Sequence, residues 1–242
     1  MTGIAVKPRT EARSANAAGR FDIYVGVHKG LRSFMADTLA SVGRMDANDG
    51  DDVARTLAQV RGLLDVCRHH LNAEDRFIHA AMEARRPGSA GERAGEHADQ
   101  ARAFEQLEAE ARAVERAQPD ARAAAALRLY RSLAVFVAEN LEHMHAEETA
   151  HNAVLWATHG DEEIAEIQQA IVASIRPETM AVFMRWMIPA MTPAERAGLL
   201  GGIQLGAPRE VLDRILAAVR PHLSERDWTK LMAAIAPLPV FA

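Results

Sequence analysis

Apolar residues recur every three or four positions along most of the chain up to about residue 158, which is the spacing of one face of an α-helix. Four long helices are predicted, and they end near residues 45, 85, 117 and 158. The residues predicted to face inward are Val25, Leu31, Phe34, Met35, Leu39, Val42, Val53, Leu57, Val60, Leu64, Cys67, Leu71, Ile78, His97, Phe104, Leu107, Leu129, Leu133, Phe136, Val137, Leu141 and Met144. Because short loops force consecutive helices to run antiparallel, the predicted fold is all-α, an up-down-up-down four-helix bundle over residues 21–158.

Turn-forming stretches separate the predicted helices. In DANDGDD, Asp51 or Asp52 is predicted to cap the second helix, since an aspartate can accept hydrogen bonds from the first free N–H groups. In RRPGSAG, Ser89 or Gly91 is predicted to open the third helix. QPD then separates the third helix from the fourth.

Composition and charge restrict the classes of protein and partner. The formal net charge of −5 argues against a general nucleic-acid-binding protein, which would usually be basic. No run of about 18 apolar residues is present, and the N-terminal stretch lacks the apolar segment of a secretory signal. The single Cys67 excludes an internal disulfide and is predicted to be a core residue. A cytoplasmic protein with no nucleic-acid or membrane partner is predicted, with a flexible tail over residues 1–20.

Residues 161–242 are predicted to form a small appendage of short helices, because prolines recur throughout this region. Two of its segments, MIPAMTPAERAGLLGGI from Met187 and VRPHLSERDWTKLMAAI from Val219, match each other in register and predict two duplicated units. In each unit, a Thr or Ser is followed three positions later by an acid, which is the pattern of a capping box that opens a helix. The region has no metal-ligand cluster, and His222 is predicted to be a surface residue. It is the predicted contact surface for a protein partner or for homo-oligomerisation.

Two HxxxE pairs carry the candidate chemistry, His70 with Glu74 on the second predicted helix and His143 with Glu147 on the fourth. Residues four apart in an α-helix are separated by about 40° around the axis and about 6 Å along it, so each pair lies on one face. An imidazole and a carboxylate placed in this way can bind one cation, or can reach two adjacent cations if the carboxylate bridges them.

The first and third predicted helices each contribute one histidine at the right level, His28 and His97. The order along the chain is therefore H…HxxxE…H…HxxxE, with one or two candidate ligands from every helix. Four neutral imidazoles and two carboxylates suit a pair of divalent first-row ions, whereas calcium and magnesium prefer oxygen ligands alone.

At these residues the chain resembles the hemerythrin-like (HHE cation-binding) domains, which are four-helix bundles that hold a non-heme di-iron centre. VHKGLR resembles the family's opening H..lR phrase, and HHLNAED and EHMHAEE resemble its H…EE phrase. The resemblance covers about residues 21–158. It implies two iron ions with an oxo or hydroxo bridge, with zinc or manganese as substitutes. The implied ligands are His28, His70, Glu74, His97, His143 and Glu147, of which Glu74 and Glu147 would bridge the two ions.

The chain departs from the oxygen-carrying hemerythrins in two places. Those proteins have two ligating histidines four apart on the third helix, whereas Arg93 and Ala101 stand four residues from His97. The fourth helix also has HxxxE where the oxygen carriers have a longer His-to-Asp spacing. The chain therefore resembles the six-ligand subgroup that is linked to iron sensing and to peroxide or nitric-oxide chemistry.

Two functions follow from this resemblance as expectations. The first is a di-iron protein that binds or reacts with O₂, peroxide or NO under oxidative or nitrosative stress, with catalase-like or NO-related oxidoreductase activity if it is an enzyme. The alternative is an iron or oxygen sensor that signals through the C-terminal helical region.

Other polar residues near the pairs receive lesser roles. Asp75 and His79 are predicted to form a pair on the helix surface, since they are four residues apart on a neighbouring face. His145 and Glu148 compete with the second HxxxE pair, and their spacing is three. His151 is predicted to orient Glu147 from behind. Tyr24, one turn before His28, is predicted to pack in the core, and the alternative is that it reaches the site.

Two other classes of metalloprotein fit the pattern less well. Ferritin-like carboxylate proteins use Glu-x-x-His with glutamates on the other helices, whereas here the other helices offer histidines. A mononuclear zinc hydrolase of the HExxH type is disfavoured because that motif does not occur. The remaining alternative is a structural helical protein whose histidines are incidental.

Overall fold

The computed structural model describes residues 19–235, apart from the side chains of residues 92–99, and all regular elements in that part are helical. The α-helices are α1 (Val25–Arg44), α2 (Gly50–Ala73), α3 (Ala80–Arg85), α4 (Gly91–Arg116), α5 (Pro119–Ala146), α6 (Asn152–Thr158), α7 (Asp161–Ser174), α8 (Pro177–Ala190), α9 (Pro193–Gly206), α10 (Arg209–Val219) and α11 (Glu225–Ile235). The predicted all-α class is confirmed. Among the described residues, no helix has both the length and the apolar character needed to cross a membrane.

Two stretches of π-helix interrupt the second and fourth predicted helices. The first π segment, Glu74–His79, joins α2 to α3, and the second π segment, Glu147–His151, joins α5 to α6. Each segment therefore begins at the glutamate of an HxxxE pair. A π-helix forms its hydrogen bonds between residues five apart, so it widens the turn and changes the direction in which the following side chains point. The helical periodicity of the sequence predicts no such turns.

The helix starts differ in detail from the predicted caps. Asp49 caps α2, and its side chain accepts hydrogen bonds from the backbone N–H groups of Asp51 and Asp52. Asp51 and Asp52, which were predicted to cap the helix, instead donate their backbone N–H groups to the cap, because the helix begins at Gly50. At the start of α4 the N-cap is Ala90, which lies between the two predicted openers and has no side-chain cap.

Four helices enclose the main hydrophobic core. Helix α1 contacts α2 and α5, and α4 contacts the same two helices, so each of the four touches two of the others. Most residues predicted to face inward are buried there, among them Phe34, Phe104 and Leu133. Burial raises the pKa of the Cys67 thiol to about 12, as expected for a core cysteine. Leu141 is an exception to the predicted face, since its side chain is 41% exposed.

The region after residue 160 packs directly on these helices. Helix α8 lies along α1, where Trp186 stacks on Phe34 with ring centroids 4.2 Å apart. Gly30 of α1 faces Met187, whose backbone would lie only 3.0 Å from a Cβ atom at that glycine. Phe183 of α8 is buried in the main core. The C-terminal region is therefore in close contact with the helix that carries His28.

The two segments that match in sequence contain α9 and α11, which pack against each other. Their duplication stays a prediction. The predicted capping box at the start of α9 is confirmed, because Thr192 and Glu195 exchange hydrogen bonds between side chain and backbone. At the start of α11, the Ser224 hydroxyl accepts a hydrogen bond from the backbone N–H of Asp227. His222 is exposed, as predicted.

The start of the described chain is anchored near α7. The Arg20 guanidinium donates hydrogen bonds to the Asp161 carboxylate and to the carbonyl oxygens of Trp156 and His159. Arg20 thus belongs to the folded body, although it was predicted to end the flexible tail. Residues 1–18 of that predicted tail lie outside the described residues.

Replacing Gly30 with alanine should destabilise the contact between α1 and α8. The new Cβ would lie 2.6 Å from Cγ of Met187 and 3.0 Å from its Cα, so the two helices would have to separate. We expect Gly30→Ala to lower the free energy of unfolding by about 1–3 kcal/mol, the usual range for overpacking. Urea unfolding followed by circular dichroism measures the change.

Gly62→Ala is the matched control, because its Cβ would meet only Cζ of Phe34 at an ordinary 3.6 Å. This substitution in α2 should raise the free energy of unfolding by about 0.5–1 kcal/mol, since alanine favours helix over glycine. Equal effects of the two substitutions would contradict the close approach of α8 to α1.

Candidate metal centre

Four of the six predicted ligands meet inside the helical core. His28 comes from α1, His70 from α2, Glu74 from the start of the first π segment and Glu147 from the start of the second. Their side chains are 0%, 12%, 1% and 0% exposed, respectively. We call these four residues the His28 group.

The donor atoms of the His28 group are spaced like the ligands of one ion. Nε2 of His28 lies 3.2 Å from Nε2 of His70 and 3.4 Å from Oε2 of Glu147. Oε1 of Glu74 lies 3.0 Å from Nε2 of His70 and 3.9 Å from Nε2 of His28. Ligand atoms that bind a first-row ion at about 2.1 Å are about 3.0–4.2 Å apart. The His28 group can therefore hold a metal ion.

The two carboxylates of this group have few of the partners that buried carboxylates normally need. All four oxygens of Glu74 and Glu147 are buried, and none accepts a well-aligned hydrogen bond from the residues that the structure describes. An ionised carboxylate buried in this way is strongly unfavourable unless a charge partner compensates it. A bound cation would supply that partner.

Burial and the neighbouring charges shift the pKa values of the two carboxyl groups in opposite directions. Burial raises the pKa of Glu74, but the positive charges of His70 and His28 outweigh it and hold that pKa well below the ordinary range. Burial and the negative charge of Glu74 together raise the pKa of Glu147, and His143 offsets this only in part. A divalent cation beside both groups would favour the ionised form of each, so metal binding should release protons.

Glu148 and Arg32 fix the orientation of the His28 ring. Nδ1 of His28 lies 3.0 Å from Oε1 of Glu148, and Arg32 donates hydrogen bonds of 2.6 and 3.0 Å to the two oxygens of that carboxylate. Burial raises the pKa of Glu148, but the bonds from His28 and Arg32 lower it to about 2. An ionised carboxylate only accepts, so Nδ1 of His28 donates its proton to Glu148, and Nε2 is the nitrogen that would bind a metal.

The remaining two predicted ligands have different outcomes. His143 is buried beside the group, and its Nε2 lies 3.2 Å from Oε1 of Glu147. His97 belongs to α4, but its side chain lies outside the described residues. Its role as a ligand therefore stays a prediction.

Relatives do not identify this centre. No family model, curated protein or solved structure matches the chain. Its assignment rests on the donor atoms, their burial and their spacing.

Two further histidines, His79 and His151, are buried at the ends of the two π segments. His79 is only 6% exposed, so its predicted place on the helix surface is wrong, and His151 is 3% exposed. Each offers a nitrogen within 4.8 Å of the other and of a carboxylate oxygen of Glu147. We call His79, Glu147 and His151 the His79 group.

The helical periodicity misplaced His79 for a physical reason. In an α-helix, a residue five positions after Glu74 lies about 140° away around the axis. The first π segment spans Glu74–His79 and closes its turns over five residues, which brings such positions nearer to one face. The sequence feature that could have indicated the burial of His79 is its position five residues after Glu74, the glutamate of an HxxxE pair.

Tyr24 packs against both groups. Its ring centroid lies 5.0 Å from that of His28, and its hydroxyl oxygen lies 3.4 Å from Nδ1 of His151. Burial and the negative charges of Glu147 and Glu74 raise the pKa of the Tyr24 phenol well above its ordinary value. Tyr24 therefore keeps its proton at neutral pH. It is buried, as a packing role predicts, and its hydroxyl also reaches His151, as the alternative predicts.

Replacing Glu148 with glutamine should weaken metal binding without removing a predicted ligand. The change removes the negative charge that holds His28 and leaves the Arg32 charge uncompensated near the cation site. We expect an affinity for cobalt(II) about 10–100-fold lower, the usual effect of losing a group that orients a ligand. Competition with a coloured chelator measures it.

Glu142→Gln is the matched control, since Glu142 is exposed on the same helix as His143. This variant should bind cobalt(II) like the wild type. If both glutamine variants bound equally well, Glu148 would have no part in the metal centre.

Proposed function

We propose that this chain is a hemerythrin-like, non-heme di-iron protein that binds or reacts with O₂, peroxide or NO in the response to oxidative or nitrosative stress. The observation that carries the proposal is the His28 group, in which two buried carboxylates without aligned hydrogen bonds face two imidazoles at 3.0–3.9 Å. A mixed nitrogen and oxygen set of this kind suits first-row ions, and iron is the one that the sequence resemblance implies.

The packing of the helices supports a four-helix bundle as the scaffold of this centre. Helices α1, α2, α4 and α5 contact one another in a closed ring of neighbours. The proposed six ligands would come from these four helices and from the two π segments that continue α2 and α5. His143 already contacts Glu147, and α4 packs on both α2 and α5, which is the position from which His97 would complete the set.

The metal ions and the residues around them would have different roles in this centre. A bound pair of irons would supply electrons and an open coordination position to a small molecule. Glu148 and Arg32 hold His28 in place, and the ionised Glu74 contributes charge. His70 is the most exposed member of the group, at 12%, so a small molecule such as a diatomic gas or peroxide would reach the centre beside it.

Iron content and peroxide decomposition test the proposal. The iron-loaded protein should contain close to two irons per chain, show oxo-bridge charge-transfer bands in the near ultraviolet, and evolve gas from peroxide or form a nitrosyl spectrum with NO. The double variant His70→Ala/Glu74→Ala should lose the bands and the reaction, because it removes an imidazole and a carboxylate whose ligand atoms lie 3.0 Å apart in the His28 group.

His145→Ala is the matched control, because His145 is exposed near His143 on α5. It should retain both irons and full reactivity. A wild-type protein that bound no iron, or equal peroxide and NO reactions in the double variant, would overturn the proposal.

A sensor is the second candidate, and the contact between α8 and α1 favours it. Met187 of α8 lies against Gly30, which is two residues after His28 in α1. The Lys29 ammonium donates a hydrogen bond of 2.7 Å to the carboxylate of Glu195, at the start of α9. A change in the position of His28 on metal or O₂ binding would therefore act directly on the C-terminal helices. That region would then present the surface to a protein partner or a second copy.

Limited proteolysis tests the sensor candidate. Addition of iron, or of O₂ to the iron-loaded protein, should change the rate of cleavage in the loops between α8 and α11. The His70→Ala/Glu74→Ala variant should cleave at one rate under all conditions. A wild-type pattern that did not change would exclude signalling through these helices.

A further inference from the structure

The His79 group contains two histidines, His79 and His151, that do not belong to the predicted ligand set. Its three side chains are 6%, 0% and 3% exposed for His79, Glu147 and His151, and they supply two imidazoles and a carboxylate. The ligand atoms of all three lie within 4.8 Å of one another. Of the three, the sequence pattern and the resemblance assign only Glu147 to metal.

The His79 ring is oriented in the same way as the His28 ring. Nδ1 of His79 lies 3.0 Å from Oδ1 of Asp75, which is 51% exposed and reaches in from the helix surface. A carboxylate accepts the Nδ1 proton, so Nε2 of His79 has the lone pair and can bind a metal. Metal-binding histidines almost always donate their other ring N–H to a carboxylate, a backbone carbonyl or water, and Asp75 can serve as that partner here.

The rings of His79 and His151 approach each other edge to face, with centroids 5.1 Å apart. They stand beside a cluster of buried apolar residues that includes Tyr24, Ile78 and Leu155. Two imidazoles and a buried carboxylate converge here from two separate parts of the chain.

The π-helical turns are what bring these residues together. His79 ends the first π segment, and Glu147 and His151 begin and end the second. Single π turns inside α-helices cost some hydrogen-bond geometry and are found frequently at functional sites. The two π segments begin at equivalent positions of the sequence, since each starts at the glutamate of an HxxxE pair.

We propose that His79, Glu147 and His151 form a further cation position, separate from the His28 group and joined to it through Glu147. Two imidazole nitrogens and one carboxylate suit a divalent first-row ion other than the two proposed irons, such as zinc or manganese, and three protein ligands leave room for water or a small ligand. The inference rests on the proposed function, because Glu147 serves both positions. Asp75 is a positioning residue, since it acts on the metal only through His79.

Cobalt(II) titration of the metal-free full-length protein tests this position. Equilibrium dialysis gives the number of ions bound per chain, and visible d–d bands report the ligands of each. His79→Gln and His151→Gln should each bind one cobalt fewer than the wild type. The double variant His70→Ala/Glu74→Ala should still bind the cobalt that those two variants lose. His145→Gln should match the wild type.

Asp75→Asn provides a variant that keeps all three ligands and changes a half-exposed side chain. It should bind the same cobalt about 10–100-fold more weakly, with the thermal unfolding of the metal-free protein unchanged. This result keeps the test valid if a glutamine variant at a buried histidine fails to fold.

The outcomes separate the two proposals. Unchanged cobalt number and affinity in the His79, His151 and Asp75 variants would overturn this inference and leave the proposed function intact. Loss of every bound cobalt in the His70→Ala/Glu74→Ala variant would also overturn it, by showing a single site. A wild-type protein that bound no metal would overturn both.

Discussion

The structure depends on the burial of Glu74 and Glu147 close together in the interior. Two carboxylates in one dry core repel each other and have lost their water, so they require opposite charge from their surroundings. The imidazoles of the neighbouring helices supply part of it, as the lowered pKa of Glu74 shows. Burial and the negative charge of Glu74 raise the pKa of Glu147, so a cation bound nearby would favour its ionised form. Metal binding in such a centre is linked to folding, since the ion stabilises only the chain that brings these ligands together.

Helix α1 connects the centre to the rest of the molecule. One face carries His28, whose ring is held by Glu148. Another face receives α8 at Gly30 and Phe34, where small and aromatic residues allow close approach. The candidate metal centre and the C-terminal helices therefore both contact α1. Closely packed helices leave little empty space between them.

The polar groups around the carboxylates are ordered in layers. His28 is held by the Glu148–Arg32 ion pair, and His79 is held by Asp75 nearer the surface. These outer carboxylates face solvent in part, so their charges cost less than those of the inner pair. The arrangement allows buried imidazoles to present a defined nitrogen to the interior. The π turns serve the same end, because they direct additional side chains inward from helices that otherwise have one inner face.

Local features of this chain were predictable from sequence. The HxxxE spacing placed His70 beside Glu74 and His143 beside Glu147, and the capping pattern at Thr192 located the start of α9, since both depend only on residues within one helical turn. Apolar periodicity likewise identified most of the helices and most of the core, because an amphipathic helix must bury its apolar face.

Only the tertiary structure decided which distant side chains meet. The π segments, the burial of His79, the pairing of Glu148 with His28, and the docking of α8 on α1 all depend on contacts between residues far apart in the chain. A periodicity of 3.6 residues assumes one uniform helix, so it cannot represent a turn that packing has widened. Spacing along the chain therefore determined which residues could bind a metal, and the packing of separate helices determined which of them face each other.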